Sequence, residues 1–239
     1  MPTVYGVKTM LDINEKRITV FAGHYGSGKT NLSVNYALAL RKRHDKVMVC
    51  DVDTVNPYFR TKDSEKVFAE HGIRLVGARF ANTNLDIPSI MPDTFAAFHS
   101  SDMYSVFDVG GDDAGALALG QFAELISETE HDMLLVVNKY RLQTSKPEDL
   151  MQYVREIERA SKIQFTAIIN NPNLGRQTTK DCLLSSLDYI EEASRLSSLP
   201  VKWNCLREDL IDDEVRAKVP NLFPIKVFYK ENWHIEEEN

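Results

Sequence analysis

The sequence predicts an α/β fold, a mostly parallel β-sheet flanked by helices. Three observations predict it. Short apolar, β-branched runs alternate with longer helix-like segments from Arg17 onward. Several runs, such as Lys46-Val47-Met48-Val49-Cys50 and Met133-Leu134-Leu135-Val136-Val137, are almost continuously apolar rather than alternating, as strands buried on both faces are. Polar stretches rich in Asp, Asn and Gly follow the runs, where open sheets of this kind bind ligands.

The 239 residues suit one such domain, read here as 17–230, with an N-terminal extension over 1–16 and an acidic tail over 231–239. A net charge of −7 argues against a broad nucleic-acid-binding face. No run of about 20 apolar residues occurs, so no membrane span is expected, and Met1 to Glu15 lacks the order of a signal peptide. Cys50, Cys182 and Cys205 are widely spaced, which offers neither a disulfide framework nor a metal motif and fits reduced thiols in the cytoplasm.

Taken in order, the first strand is expected at 17–22 and a helix over Thr30–Arg43. A strand over 46–50 runs into Asp51-Val52-Asp53, and Pro57 should keep Asn56 out of a helix. A helix over 62–71 leads into a strand at 73–77. Residues 78–92 read as a long loop of the functional kind. A short helix over 93–100 precedes a strand at 103–108, then Gly110-Gly111-Asp112-Asp113 and an amphipathic helix bearing Leu117, Leu119, Phe122, Leu125 and Ile126. After the strand at 132–138, Ser145 and Glu148 fit a capping box ahead of a helix with Leu150, Val154, Ile157 and Ser161 on one face. The remaining expectations are a strand at 165–170, a helix over 178–194, strands at 201–205 and 223–228, and a short helix over 208–218 between them.

One stretch carries most of the chemistry. Gly23-His24-Tyr25-Gly26-Ser27-Gly28-Lys29-Thr30 fits G-x-x-x-x-G-K-[ST] and sits between a strand and a helix, as a phosphate-binding loop must. The glycines let successive N–H groups curl around phosphate oxygens, and the helix N-terminus adds partial positive charge. Lys29 would reach the β- and γ-phosphates as a catalytic cation, and Thr30 would offer its hydroxyl to Mg²⁺. With Asn31, these residues form the candidate nucleotide-binding stretch.

Carboxylates at the strand ends supply the rest. Asp108, followed by Gly110-Gly111, has the form of a strand-terminal Walker B aspartate that supports Mg²⁺. Asp51 and Asp53, two residues apart, would face the same way. Asp51 is assigned to Mg²⁺ or its waters, and Asp53 to positioning the attacking water. Each of the three could instead cap a turn.

Together the loop, the D-x-D and Asp108 with Gly110-Gly111 resemble the MinD/ParA-type P-loop ATPases of the CobQ/CobB/MinD/ParA group, over most of 17–230. The resemblance implies a P-loop NTPase fold, ATP and Mg²⁺ as cofactors, Gly28, Lys29 and Thr30 on phosphates and metal, Asp53 in hydrolysis and Asp108 near Mg²⁺. It also implies that an Asn at the end of a late strand reads adenine, a place matched by Asn170 and Asn171, although Asn-Asn-Pro equally fits a turn. Relatives carry a second lysine near the start of the loop that reaches across an ATP-sandwiched homodimer. Here that position is His24, so such a dimer would lack its lysine. Asn138-Lys139-Tyr140-Arg141 is similar to the guanine-reading N-K-x-D, but Arg141 cannot accept from guanine, which favours ATP. The C-terminal His234-Ile235-Glu236-Glu237-Glu238-Asn239 is not the basic helix that targets relatives to membranes.

The leading expectation is therefore an Mg-dependent ATPase acting as a nucleotide-dependent switch for an unidentified partner. Two alternatives stand beside it. One is an ATP-dependent ligase or kinase, with Asn82, Asn84 and Asp86 lining a pocket and Arg60 or Arg141 clamping an anion. The other is a nucleotide-binding scaffold without turnover.

Overall fold

The computed structural model describes residues 15–53, 62–77, 92–111 and 113–228. Expectations for the extension through residue 14, Asn56, Pro57, Arg60, the segment 78–91 with Asn82, Asn84 and Asp86, Asp112 and the tail 231–239 lie outside the described residues. The strands are β1 (Ile18–Ala22), β2 (Val47–Val52), β3 (Arg74–Gly77), β4 (Tyr104–Val109), β5 (His131–Val137), β6 (Ala167–Asn170), β7 (Val201–Arg207) and β8 (Leu222–Ile225). They form one sheet in the order β3-β2-β4-β1-β5-β6-β7-β8, and each neighbouring pair is parallel. Parallel neighbours require crossovers, which the helices provide: α1 (Lys29–Arg41), α2 (Lys62–Glu70), α3 (Ala96–His99), α4 (Asp113–Gly120), α5 (Ala123–Ser127), α6 (Pro147–Ser161), α7 (Lys180–Leu184), α8 (Leu187–Ser197) and α9 (Asp213–Lys218).

Each side of the sheet has its own core. Phe21, Val49, Val106, Leu134 and Val136 pack with Leu32, Tyr36 and Leu40 of α1. Ile18, Val20, Met48, Phe107, Met133 and Leu135 pack on the other face with Leu119 of α4, Leu150 and Ile157 of α6 and Ile190 of α8. This is why the central strands read as continuous apolar runs. Burial of a Leu such as Leu40, at 0% exposure, contributes about 1.5–3 kcal/mol.

Several boundaries differ from the sequence expectations. Pairing between β2 and β4 continues through Asp51↔Asp108 and Val52↔Val109, so these aspartates lie within strands rather than after them. The capping box at Ser145 does not form. Pro147 takes the first helical position and Lys146 becomes the N-cap, one residue too late for Ser145, whose hydroxyl donates to Leu142 O instead. The expected 178–194 helix is split into α7 and α8, with buried Ser186 at the junction donating to Leu183 O. The helix after Asp113 also divides, and Leu117, expected on its apolar face, is 61% exposed. Finally, β8 ends at Ile225 because Lys226 and Phe228 run along α1. There Asn31 donates to Lys226 O and accepts from Phe228 N, while Asn35 Oδ1 accepts from Lys226 N.

Candidate nucleotide site

β1 lies between β4 and β5, where the chain's direction of travel across the sheet reverses. Open sheets bind ligands beyond the carboxyl ends of strands at such a point, and the loop 23–28 emerges there. Gly28 N-caps α1 at φ 93°, and a Cβ on it would sit 2.3 Å from Asn171 Nδ2. No other residue type fits both constraints without strain. The first turn of α1 carries no acidic residue, so nothing on the helix offsets the positive end of its dipole.

The loop is held from several sides. Lys29, at 2% exposure, donates from Nζ to Gly23 O (2.7 Å) and His24 O (3.1 Å). Ser27 N donates to His24 O, which tightens the turn. Asn171 Nδ2 donates to Ser27 O at 2.7 Å from below, and Arg141 Nε donates to Gly26 O at 2.9 Å from the outside. Gly111 packs against the loop so closely that a Cβ would lie 2.6 Å from Tyr25 N. The Tyr25 side chain is 68% exposed. Thr30 is half-buried in the first turn of α1.

Asp51 and Asp108 are register partners in neighbouring parallel strands, which places both on one face of the sheet. Because Val49 and Val106 two residues earlier face α1, the period of two turns both aspartates toward that helix. Ser33 of α1 donates from Oγ to Asp108 Oδ1 at 3.3 Å. Asp53 follows β2, and its backbone N–H donates to Asp51 Oδ1 at 3.1 Å. All three carboxylates are buried.

The His24 ring packs on Tyr153 of α6, with ring centroids 3.8 Å apart. Burial lowers its pKa below the ordinary imidazole value, the Lys29 charge lowers it further, and Glu156 opposes both. The ring is therefore neutral at neutral pH.

The late asparagines divide. Asn171 supports the loop through Ser27. Asn170 faces away, fully buried, and donates to Ser186 Oγ (2.8 Å) and Asn204 Oδ1 (2.9 Å). Both amide nitrogens serve protein acceptors inside the fold, whereas both amide oxygens are buried with no hydrogen-bond partner among the described residues. The side chain of Asn31 donates to Lys226 O and accepts from Phe228 N. In the N-K-x-D-like segment, Asn138 is buried, donates to Asn173 O and accepts from Tyr140 N.

Three contacts were missed in the sequence: Ser33 with Asp108, His24 with Tyr153, and Arg141 with Gly26. Ser33 alone left a signal, one helical turn beyond Thr30 on the buried side of α1.

The arrangement fits an anion at a glycine-rich helix start. Besides the curved backbone, Ser27 Oγ is buried with no hydrogen-bond partner among the described residues. Among those residues no three His, Cys, Asp or Glu side chains are grouped so as to hold a metal ion by themselves.

An all-parallel eight-stranded sheet with this loop at its reversal point defines a P-loop nucleotide-binding fold. The model of the CobQ/CobB/MinD/ParA nucleotide binding domain matches residues 18–178, more than half of the chain, and the protein belongs to that family. A comparison with curated proteins finds no match. Among solved structures, FtsY from Mycoplasma mycoides is 19% identical with a TM-score of 0.52, covering 80% of this chain and 61% of its own. FtsY from Thermotoga maritima is 16% identical with a TM-score of 0.49, covering 79% and 61%. A nucleotide-binding protein from Archaeoglobus fulgidus in complex with ADP is 18% identical with a TM-score of 0.48, covering 83% and 87%. The chain thus spans 61% of the length of these FtsY chains. The first likeness bears out the fold. Among the described residues no helix is long and apolar enough to cross a membrane.

Proposed function

We propose that this protein binds Mg-ATP at the 23–30 loop and hydrolyses it, working in the cytoplasm as a nucleotide-dependent switch. One observation carries the reading: Asp51 and Asp108, adjacent in register, face the helix that begins with Lys29 and Thr30. Lys29 and the loop N–H groups hold the phosphates. Thr30, Asp108 and Asp51 are the residues that would hold Mg²⁺ or its waters, and the metal would supply neutralisation of phosphate charge. Asp53, on the segment leaving β2, orients the attacking water. ATP is favoured over GTP because the sequence place of the guanine-reading Asp in N-K-x-D is taken by Arg141, which has no acceptor to offer. With neutral His24 at the position where relatives carry the cross-dimer lysine, turnover in this reading does not depend on a partner subunit's charge.

Phosphate release from purified protein with Mg-ATP and no added substrate tests the reading. Lys29→Ala should abolish ATP binding in calorimetry. ATP consumption only with an added metabolite would instead establish a ligase or kinase, and tight binding with no turnover a scaffold.

A further inference from the structure

Arg141 has no contact with nucleotide in the proposed function, yet it reaches the loop. It is the N-cap of the short helical turn 142–144 after β5, and its backbone is firmly placed. Its N–H donates to Asn138 O, and its own carbonyl accepts from Thr144 N. Thr144 Oγ1 donates to Asn138 O as well, and buried Asn138 is itself anchored to Asn173. This rigid turn sends an exposed side chain across to the loop, where Nε donates to Gly26 O at 2.9 Å. The guanidinium carbon would lie 3.0 Å from a Cβ on Gly26, whose φ is 75°. A side chain at Gly26 would be strained by that backbone and would push the guanidinium aside.

A guanidinium has five N–H donors, and the loop carbonyl uses one of them. Its fork geometry matches phosphate oxygens. Its partner here is a neutral carbonyl rather than a carboxylate, so the charge is not neutralised by that contact. Of the side chains touching the loop, His24 is neutral at neutral pH, which leaves Lys29 and Arg141 as the fixed cations among the described residues.

We propose that Arg141 latches the tip of the loop through Gly26 and, from the same subunit, donates to the phosphates of the bound nucleotide. This rests on the phosphate-loop reading above. A cation supplied in cis would serve the loop of a single chain, whatever its oligomeric state.

The test is calorimetric binding of ATP, ADP and AMP to wild type, Arg141→Ala, Arg141→Gln and Lys29→Ala. Arg141→Ala should weaken ATP binding roughly ten- to hundred-fold, the range for losing a hydrogen bond to a charged group. The loss should shrink from ATP to ADP to AMP. Arg141→Gln, which keeps a donor for Gly26 but no charge, should bind ATP as poorly as the alanine variant. The effect on ATP should also diminish as salt rises. Full recovery in Arg141→Gln would overturn the phosphate contact and leave a latch alone, as would equal losses for all three nucleotides. If Lys29→Ala loses ATP binding while Arg141→Ala binds like wild type, only the Arg141 proposal falls. If Lys29→Ala binds normally, the phosphate-loop reading falls with it.

Discussion

Ser33 and Asp108 meet across the interface between α1 and the sheet, with the hydroxyl donating to the carboxylate at 3.3 Å. The contact ties the helix that starts at the phosphate loop to the strand that carries the Walker B-like aspartate. Asp108 has further interactions, so this bond is one support among several. Ser33→Ala should therefore cost only about 1 kcal/mol in urea unfolding. In the proposed ATPase it should raise the Mg²⁺ concentration needed for half-maximal turnover, because Asp108 loses a group that fixes its orientation. Unchanged metal dependence would separate Ser33 from the site.

Gly28→Ala tests the cradle itself. An alanine at φ 93° is strained, and its methyl would overlap the Asn171 amide that supports Ser27. The expected loss is about 1–3 kcal/mol of stability, together with loss of nucleotide binding. Pairing it with Asn171→Gly removes the overlap but not the backbone strain. Partial recovery of thermal stability in the double variant would confirm the clash.

Asn170 is expected to be structural. Its amide bridges Ser186 and Asn204 in a fully buried position, so Asn170→Ala leaves polar partners unsatisfied. Unfolding free energy should fall by about 1–3 kcal/mol, while ATP affinity measured on the folded protein stays within about twofold of wild type. A selective loss of affinity for adenine nucleotides relative to guanine nucleotides would give Asn170 a base-reading role instead.

Asp53→Ala should bind ATP with near-normal affinity while hydrolysing it at least about a hundred-fold more slowly, as removal of a water-positioning group does. Single-turnover phosphate release, measured alongside binding, separates the two effects. Undiminished hydrolysis would remove Asp53 from that role.

His24 gives a pH signature of defined sign. Its folded pKa lies below the unfolded value of 6.5, so near that pH the unfolded chain takes up the proton first. Stability is therefore full above about pH 6.5 and declines as pH falls through 6.5 toward the folded pKa. His24→Gln should lose this component. Melting temperatures of the two proteins should converge, or cross in favour of the glutamine variant, between neutral pH and about pH 5.5. Parallel pH curves would show that His24 titrates normally.

The sheet and its loop were legible because both depend on local pattern. A continuous apolar run reports two covered faces, and a glycine-rich turn with Lys29-Thr30 reports a helix start shaped for anions. Asp51 and Asp108 were each legible as a strand-associated carboxylate, but not as register partners, since register depends on how β2 and β4 align. Asn170 and Asn171 could not be told apart in sequence. Neighbouring side chains point in opposite directions, and only the packed positions of Ser186 and Ser27 decide what each one meets. Arg141 was visible as a departure from a guanine motif, yet its partner lies 115 residues away. A local pattern holds no information about such a contact.

The clasp of Lys226 and Phe228 on Asn31 and Asn35 has a consequence for the order in which the protein matures. A chain emerging from the ribosome presents α1 early, but the polar groups on its outer side wait for almost the last described residues to be made. N-terminal segments fold first during synthesis where they can; here the helix that opens the site is finished last. On the nucleotide-binding reading proposed above, a nascent chain should bind nucleotide poorly until β8 and the three residues after it have been added and docked.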